Sequence, residues 1–215
     1  MWQFIAGPAS GGHDVALTEA TGRRYIARLT EPSEVNFEID GQGEQAPLIA
    51  ELATDIHVLW TPESGPSTEL DRCRVGATAD DVSESEHRLQ VAALDYRAVL
   101  NRRRTINTDT NVFAAVDQAE IAWGLVAQTQ SHLAGHLGIS KGVGFPGASI
   151  VRDRTYMAGD SIGERIQELS EVVDGFDWDI TPASASSLHL DVWFPQRGQD
   201  RGVVLEYGGL VSKVS

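Results

Sequence analysis

Three aspartates in this sequence have the side-chain type and the spacing of a catalytic or cation-binding site. Asp177 and Asp179 alternate along a predicted strand, and Asp191 lies on the strand that follows. Carboxylates gathered on one face of a sheet can bind a divalent cation or act as the acid and base of a glycosidase. The same alternation is typical of the solvated face of an amphipathic strand, and we prefer that interpretation.

Two histidines, His132 and His136, are four residues apart near the end of a predicted helix. This spacing can hold a metal ion, but a zinc protease motif needs a glutamate where this sequence has Leu133. We therefore interpret both as ordinary, partly exposed histidines. The loop GVGFPG lacks the lysine of a phosphate-binding loop, and Cys73 is the only cysteine. The sequence predicts no catalytic residue, metal or cofactor, and hence a protein that is not an enzyme.

A basic run, Arg102, Arg103 and Arg104, stands out in an acidic chain. The 215 residues include 17 lysines and arginines against 31 aspartates and glutamates, a formal net charge of -14. This excess of negative charge argues against general binding of nucleic acid, which depends on neutralising phosphates. Two interpretations of the triplet stay open. It stabilises the dipole at a helix end, or it pairs with carboxylates at a protein interface.

The first hundred residues show the hydrophobic pattern of strands. Alternating apolar and polar segments, separated by turn-forming residues, predict short strands that favour a barrel or a sandwich. They are Arg24–Leu29, Glu34–Ile39, Asp55–Trp60, Leu70–Ala77 and Arg88–Asp95, with the last two forming an antiparallel hairpin around a polar turn. No run of roughly 18 apolar residues occurs, so no membrane span is predicted.

Helical spacing begins at Tyr96, where a short helix is predicted to run toward the arginines. A second helix is predicted after Asp117 and a third after Ser161, because each of these residues starts a capping box. Leu133 is expected on the buried face of the second helix, and Val173 on that of the third.

The segments between and after these helices complete the second half. Residues 105–115 and 138–149 are predicted to be loops because they are polar or rich in glycine. Residues 176–180 and 188–194 alternate as a hairpin with Phe194 inward, and residues 203–207 offer a further strand. Antiparallel strands with helices on one face are typical of an α+β domain.

The predicted fold class is therefore α+β and strand-rich, with two domains. Residues 1–104 are expected to form a β-barrel-like domain that ends in a short helix. Residues 105–215 are expected to form a helix-on-antiparallel-sheet domain with two helices, and the chain could continue into a further domain.

Three stretches resemble the minor tail proteins of long-tailed actinobacteriophages, within the broad family of tail-hub proteins. They are RVGATADDVSESEHRLQVAALDYRAVLNRRR, DQAEIAWGLVAQTQ and DRTYMAGDSIGERIQELSEVVDGFDWDI. The resemblance covers essentially the whole chain and consists of scaffold residues rather than a catalytic signature. It implies a barrel-like domain followed by an α+β domain, as in baseplate hubs.

The resemblance also implies a function and a set of partners. It implies a structural virion protein, made in the host cytoplasm, at the distal tip of a non-contractile siphovirus tail. There it would form a homotrimer that closes the tail tube and contacts the distal tail ring protein, the tape measure protein and the tip proteins for host attachment. During ejection the genomic DNA would pass through without specific binding, and Arg102, Arg103 and Arg104 would serve a protein interface.

Two alternatives from other functional classes stay open. A tail-tip hydrolase of cell-wall glycan would use Asp177, Asp179 and Asp191 as its carboxylates. A saccharide-binding adhesin would need an exposed aromatic platform, whereas Trp178 and the other aromatic residues are predicted to be buried.

Overall fold

The structure, a computed structural model, describes residues 1–83, 86–106, 111–133, 135–145 and 150–198. The strands of the first half are β1 Trp2–Pro8, β2 Val15–Ala16, β3 Thr21–Ile26, β4 Glu34–Asp40, β5 Thr54–Trp60, β6 Thr68–Val82 and β7 His87–Asp95. Those of the second half are β8 Val112–Asp117, β9 Ile139–Lys141, β10 Val151–Thr155, β11 Asp177–Ser184 and β12 Ser187–Trp193. The α-helices are α1 Tyr96–Arg102, α2 Gln118–Ser131 and α3 Ile162–Ser170, and a short 3-10 helix spans Ala46–Leu48.

The first seven strands form one antiparallel sheet in the order β2-β1-β5-β6-β7-β4-β3. The sheet curls, because aromatic rings of β1 meet rings near its opposite edge. Trp2 lies 5.9 Å from Tyr25 of β3, and Phe4 lies 5.9 Å from Phe37 of β4, between ring centroids. The concave side encloses a core of apolar side chains that includes Phe4, Val35, Phe37, Ile56, Val58, Cys73, Val75 and Val91. The barrel-like character predicted for this half is confirmed as a half-barrel.

Four strands of this sheet depart from the sequence prediction. The short β2 was not predicted, and β3 spans Thr21–Ile26 instead of the predicted Arg24–Leu29. β1 was not predicted, because its residues WQFIAGP do not alternate and end in glycine and proline. It nevertheless pairs with β5 along its whole length, which makes it an inner strand. β6 extends to Val82, beyond the predicted end at Ala77, because its polar residues continue the ladder with β7.

The second half places helices on a small sheet, as predicted. β11 and β12 form the expected antiparallel hairpin, and β9 adds a strand parallel to β12. β8 and β10 form a separate antiparallel ribbon. The core between these elements includes Ile121, Leu125, Ile162, Ile166, Leu169, Phe176, Trp178, Ile180, Leu188 and Leu190.

Some details of the second half were predicted wrongly. Leu133 and Val173 are exposed, because α2 ends at Ser131 and α3 at Ser170, before either residue could join a helical stripe. Phe194 is partly exposed, since β12 ends at Trp193. The predicted loops at residues 105–115 and 138–149 contain the start of β8 and all of β9. The strand predicted at residues 203–207 lies outside the described residues.

Helix α1 connects the two halves. It follows β7 directly, and Asp95 caps it by accepting a hydrogen bond from the Arg97 amide. Its buried residues Tyr96, Val99 and Leu100 nevertheless pack in the core of the second half. The proposed domain boundary at residue 104 stays a prediction. In the described part of the chain no helix has the length and apolar character needed to cross a membrane.

Replacing Gly163 with alanine is expected to destabilise the protein, although alanine favours a helix by about 1 kcal/mol over glycine. Gly163 lies in the first turn of α3, where that helix packs on α1. A Cβ added there would lie 2.0 Å from Asn101 Oδ1 and 2.8 Å from its backbone nitrogen. Backbone atoms cannot move aside cheaply, so overpacking should cost about 1 to 3 kcal/mol of unfolding free energy in urea denaturation.

Gly124 provides the matched control for this substitution. A Cβ at Gly124 in α2 would meet only the ring of Phe113, at 2.9 Å, and that half-buried side chain can rotate away. Gly124→Ala should therefore change stability much less. A gain of stability in Gly163→Ala would contradict the close packing of α1 on α3.

Candidate protein interface

The arginine triplet lies where α1 ends, and its three residues have different environments. Arg102 is exposed in the last turn of α1, and a Cβ added at Gly76 would lie 3.0 Å from its Nη2, so the guanidinium lies over β6. Arg103 follows the helix as its C-cap, and Arg104 forms a β-bridge with Ser161. Only Arg102 is placed to stabilise the helix dipole, so that interpretation covers one of the three side chains.

Hydrogen bonds hold the backbone around the triplet in place. The Ile162 amide donates to the Arg103 carbonyl at 3.0 Å, and the Ser161 hydroxyl donates to the Asn101 carbonyl at 2.9 Å. Within the described residues, no ion pair engages a guanidinium of the triplet. Three cations on a rigid support therefore remain able to bind an external carboxylate.

Exposed apolar side chains lie in the segments next to the triplet. The Thr105 hydroxyl donates to the Met157 carbonyl at 2.5 Å and brings the two segments together. Ile106 is 59% exposed and Met157 is 62% exposed. Arginine and methionine are enriched at protein interfaces, so this surface has the composition of a docking site.

Sequence reasoning missed the buried charges at the junction of the two halves, and Arg97 is the best connected of them. Its guanidinium donates to Asp95 at 2.8 and 3.0 Å and to the carbonyls of Arg28 and Leu29 at 2.9 and 3.0 Å. Asp179 of β11 lies 3.7 Å from its Nε. Arg97 thus ties β7, the β3–β4 connection and the small sheet together.

A second buried ion pair lies near it, between Arg74 of β6 and Asp55 of β5. The Tyr96 hydroxyl donates to Asp55 at 2.7 Å and accepts from Arg74. Burial and the adjacent Asp55 carboxylate raise the pKa of Tyr96 above its usual range. The start of α1 is therefore held on the half-barrel by a hydrogen-bonded charge pair as well as by packing.

Asp71 of β6 lies at the same junction and titrates near neutrality. Burial, reinforced by the carboxylates of Asp95 and Asp179, raises its pKa to about 7. Hydrogen bonds from the Arg72 amide at 2.8 Å and the Tyr25 hydroxyl at 3.0 Å oppose that rise without cancelling it. Asp71, Asp95 and Asp179 share one guanidinium, that of Arg97. Because a single positive charge cannot balance three carboxylates, Asp71 favours its protonated form.

The three aspartates singled out in the sequence are held by partners within the chain. Asp191 accepts from the Val143 amide at 2.7 Å and the Thr181 hydroxyl at 2.5 Å, and it is buried. Asp179 accepts from Arg197 at 2.9 Å, and Asp177 accepts from the Arg197 amide at 2.7 Å. The interpretation of a solvated face was therefore wrong for Asp191. Asp179, on the same face of the hairpin, approaches Arg97 at the junction with the half-barrel.

The remaining candidates have simpler positions. His132 caps the end of α2, and His136 lies beyond it, so the two histidines do not share a helical face. Trp178 is buried as predicted, but Trp2 and Trp60 are 47% and 39% exposed, with ring centroids 5.1 Å apart. The expectation that the aromatic residues are buried was wrong for these two, which lie at the open end of the half-barrel.

Solved structures of two tail proteins share this fold. The tail protein from Neisseria meningitidis MC58 matches with a TM-score of 0.52 and 12% identity, over 87% of this chain and 50% of that one. The prophage tail protein gp18 from Listeria monocytogenes EGD-e matches with a TM-score of 0.54 and 11% identity, over 88% and 50%. This chain thus spans about half the length of these proteins. No protein-family model matches the sequence, and no curated protein does so either.

Proposed function

We propose that this protein is a structural component of a phage tail, a hub at the distal tip of a non-contractile tail of the actinobacteriophage type. The observation that carries the proposal is the fold, shared over 87% and 88% of the chain with two tail proteins. The half-barrel followed by helices on a small sheet is also the arrangement that the sequence resemblance implies. In this role the chain forms a homotrimeric ring that closes the tube and contacts the tail ring, tape measure and tip proteins.

The charge of the chain supports the passage of DNA through such a ring. A formal net charge of -14 repels phosphates, so DNA can slide past the protein without being held. An acidic protein that assembles with its own copies needs basic patches at the contacts to offset that repulsion. The arginine triplet, with its guanidinium groups free of ion pairs in the described residues, is such a patch.

A structural role is preferred to hydrolysis of cell-wall glycan. A glycosidase needs two carboxyl groups free to flank a sugar ring, one of them protonated. Both oxygens of Asp191 accept hydrogen bonds within the fold, and Asp179 lies between Arg97 and Arg197. Side chains held in this way stabilise the junction rather than open a substrate cleft.

Replacing Arg102, Arg103 and Arg104 together with alanine should leave the melting of the isolated chain nearly unchanged and abolish its incorporation into tails. Exposed charges contribute roughly 0.2 to 1 kcal/mol each to folding, whereas truncating one partner of a desolvated interface pair costs about 2 to 5 kcal/mol. The measurement is complementation of a phage that lacks this gene, with the protein located on purified tails by antibody labelling in electron microscopy.

A second triple variant, with Arg23, Arg24 and Arg88 changed to alanine, is the control for net charge. These residues are exposed on β3 and β7, so the variant loses the same charge from a different surface. It should be incorporated normally at the distal tip. Two results with the parent protein would contradict the hub assignment. One is antibody labelling along the length of the tail, and the other is the absence of the protein from purified tails. Normal incorporation of the Arg102, Arg103 and Arg104 variant would refute only the interface role.

A further inference from the structure

Three potential metal ligands converge where the loop between β1 and β2 meets the half-barrel. His13 belongs to that loop, His57 to β5 and Glu69 to β6. One ligand atom from each residue lies within 4.8 Å of the other two. The residues are far apart in the sequence, so only the pairing of β5 with β6 and the return of the loop bring them together.

The distances between these atoms suit a bound ion. His57 Nδ1 lies 2.7 Å from Glu69 Oε1, and His13 Nε2 lies 3.4 Å from Glu69 Oε2. Ligands at roughly 2.1 Å from an ion are about 3.0 Å apart in octahedral geometry and about 3.4 Å apart in tetrahedral geometry. The His13–Glu69 distance already matches tetrahedral spacing, and the His57–Glu69 pair would have to open by about 0.7 Å as the ion replaces the proton between them.

One ring nitrogen of His57, Nδ1, faces Glu69, and the other points away from that carboxylate. The His57 side chain is 0% exposed, and its Nε2 has no hydrogen-bond partner among the described residues. One ion cannot bind both nitrogens of a ring, so the candidate site uses Nδ1, the nitrogen that faces Glu69. The backbone of Gly7 packs so closely beside Nε2 and the β1–β2 loop that no side chain fits there. A Cβ there would lie 3.0 Å from His57 Nε2 and 1.9 Å from the Gly12 carbonyl oxygen.

Glu69 is held ready to coordinate. Arg72 donates to its two oxygens at 3.0 and 3.3 Å, which fixes the carboxylate in place. The guanidinium of Arg72 also repels a cation, so binding should be weaker than in a site without an adjacent arginine.

We propose that His13, His57 and Glu69 bind one divalent transition-metal ion, with zinc as the best match. Two imidazoles and one carboxylate are ligands that zinc accepts, whereas magnesium and calcium prefer oxygen alone. The part-exposed His13 gives the ion a path from solvent. The bound ion holds the β1–β2 loop on the half-barrel. In the same loop, the Gly12 amide donates at 2.8 Å to the carbonyl of Ala185, which lies in the turn between β11 and β12. This inference does not depend on a role in a phage tail.

The test is a titration of the full chain, stripped of metal with a chelator, with zinc chloride in a calorimeter. We expect one zinc ion per chain and a rise in melting temperature, because a ligand that binds only the folded state stabilises it. Magnesium chloride at the same concentration should do neither. Cobalt(II), used as a spectroscopic probe, should give visible absorption that zinc displaces.

His13→Ala is the decisive variant, because His13 lies on a loop and is not part of the core. It should weaken zinc binding by at least about 10- to 100-fold and abolish the cobalt absorption. Glu69→Gln should do the same where it folds. His132→Ala, which removes an exposed histidine elsewhere, should bind as the parent does. The proposal is overturned if the parent binds no zinc, if His13→Ala binds it unchanged, or if His132→Ala loses binding equally.

Discussion

Replacing Arg97 with alanine is expected to lower the free energy of unfolding by about 3 to 5 kcal/mol at pH 7, because it leaves buried charges without their partner. Arg97 pairs with Asp95 and lies 3.7 Å from Asp179, and it also donates to two backbone carbonyls of the β3–β4 connection. Natural domains are stable by only about 5 to 15 kcal/mol, so the variant should be close to unfolding. The measurement is the urea concentration at the midpoint of unfolding, with an unchanged slope.

A second substitution separates charge repulsion from lost packing in this variant. Asp179→Asn in the Arg97→Ala background removes one of the carboxylates that Arg97 neutralised, so it should recover part of the lost stability. The same substitution in the parent breaks a favourable pair and should not stabilise it. Arg24→Ala, which truncates an exposed arginine on β3, should stay within about 0.5 kcal/mol of the parent. If Arg97→Ala also changed the free energy of unfolding by no more than about 0.5 kcal/mol, a central role of Arg97 at the junction would be contradicted.

Replacing Asp71 with asparagine is expected to stabilise the protein above neutral pH and to change little in acid. Burial raises the pKa of Asp71 from its usual 3.8 to about 7, so folding favours the protonated carboxyl. The stability that this preference contributes is complete below about pH 4 and is lost as the pH rises through about 7. Each unit between the two pKa values corresponds to about 1.4 kcal/mol, which gives an upper limit of about 4 kcal/mol.

Asparagine has the shape of the protonated acid and carries no charge at any pH. At pH 8 the Asp71→Asn variant should therefore be more stable than the parent by as much as that limit, and at pH 4 the two should be similar. The measurement is the free energy of unfolding in urea across this pH range. Asp81→Asn, at an exposed position of β6, is the control for loss of one negative charge. The opposite result is a parent that becomes more stable between pH 4 and 7, together with an Asp71→Asn variant that is no more stable than the parent at pH 8. That result would show that Asp71 is ionised in the folded protein.

The sequence by itself determined the elements whose signals are local. Strand alternation located β4, β5 and β7 almost to the residue, and the capping residues Asp117 and Ser161 marked the starts of α2 and α3. These patterns work because one buried face imposes a period of two on a strand and of 3.6 on a helix, whatever the partner is. The acidic composition and the isolated arginine triplet are likewise visible without a fold.

Only the tertiary structure decided which distant residues meet. β1 carries no alternation, yet it becomes an inner strand because β5 and β2 pair with its two edges. Arg97 contacts residues from β3–β4 to β11, and His57 meets His13 and Glu69, through strand pairings that no local pattern encodes. The reason is physical: hydrophobic periodicity reports whether a side chain is buried, but the cost of burying a charge is met by specific partners. Those partners are chosen by the register and curvature of the sheet.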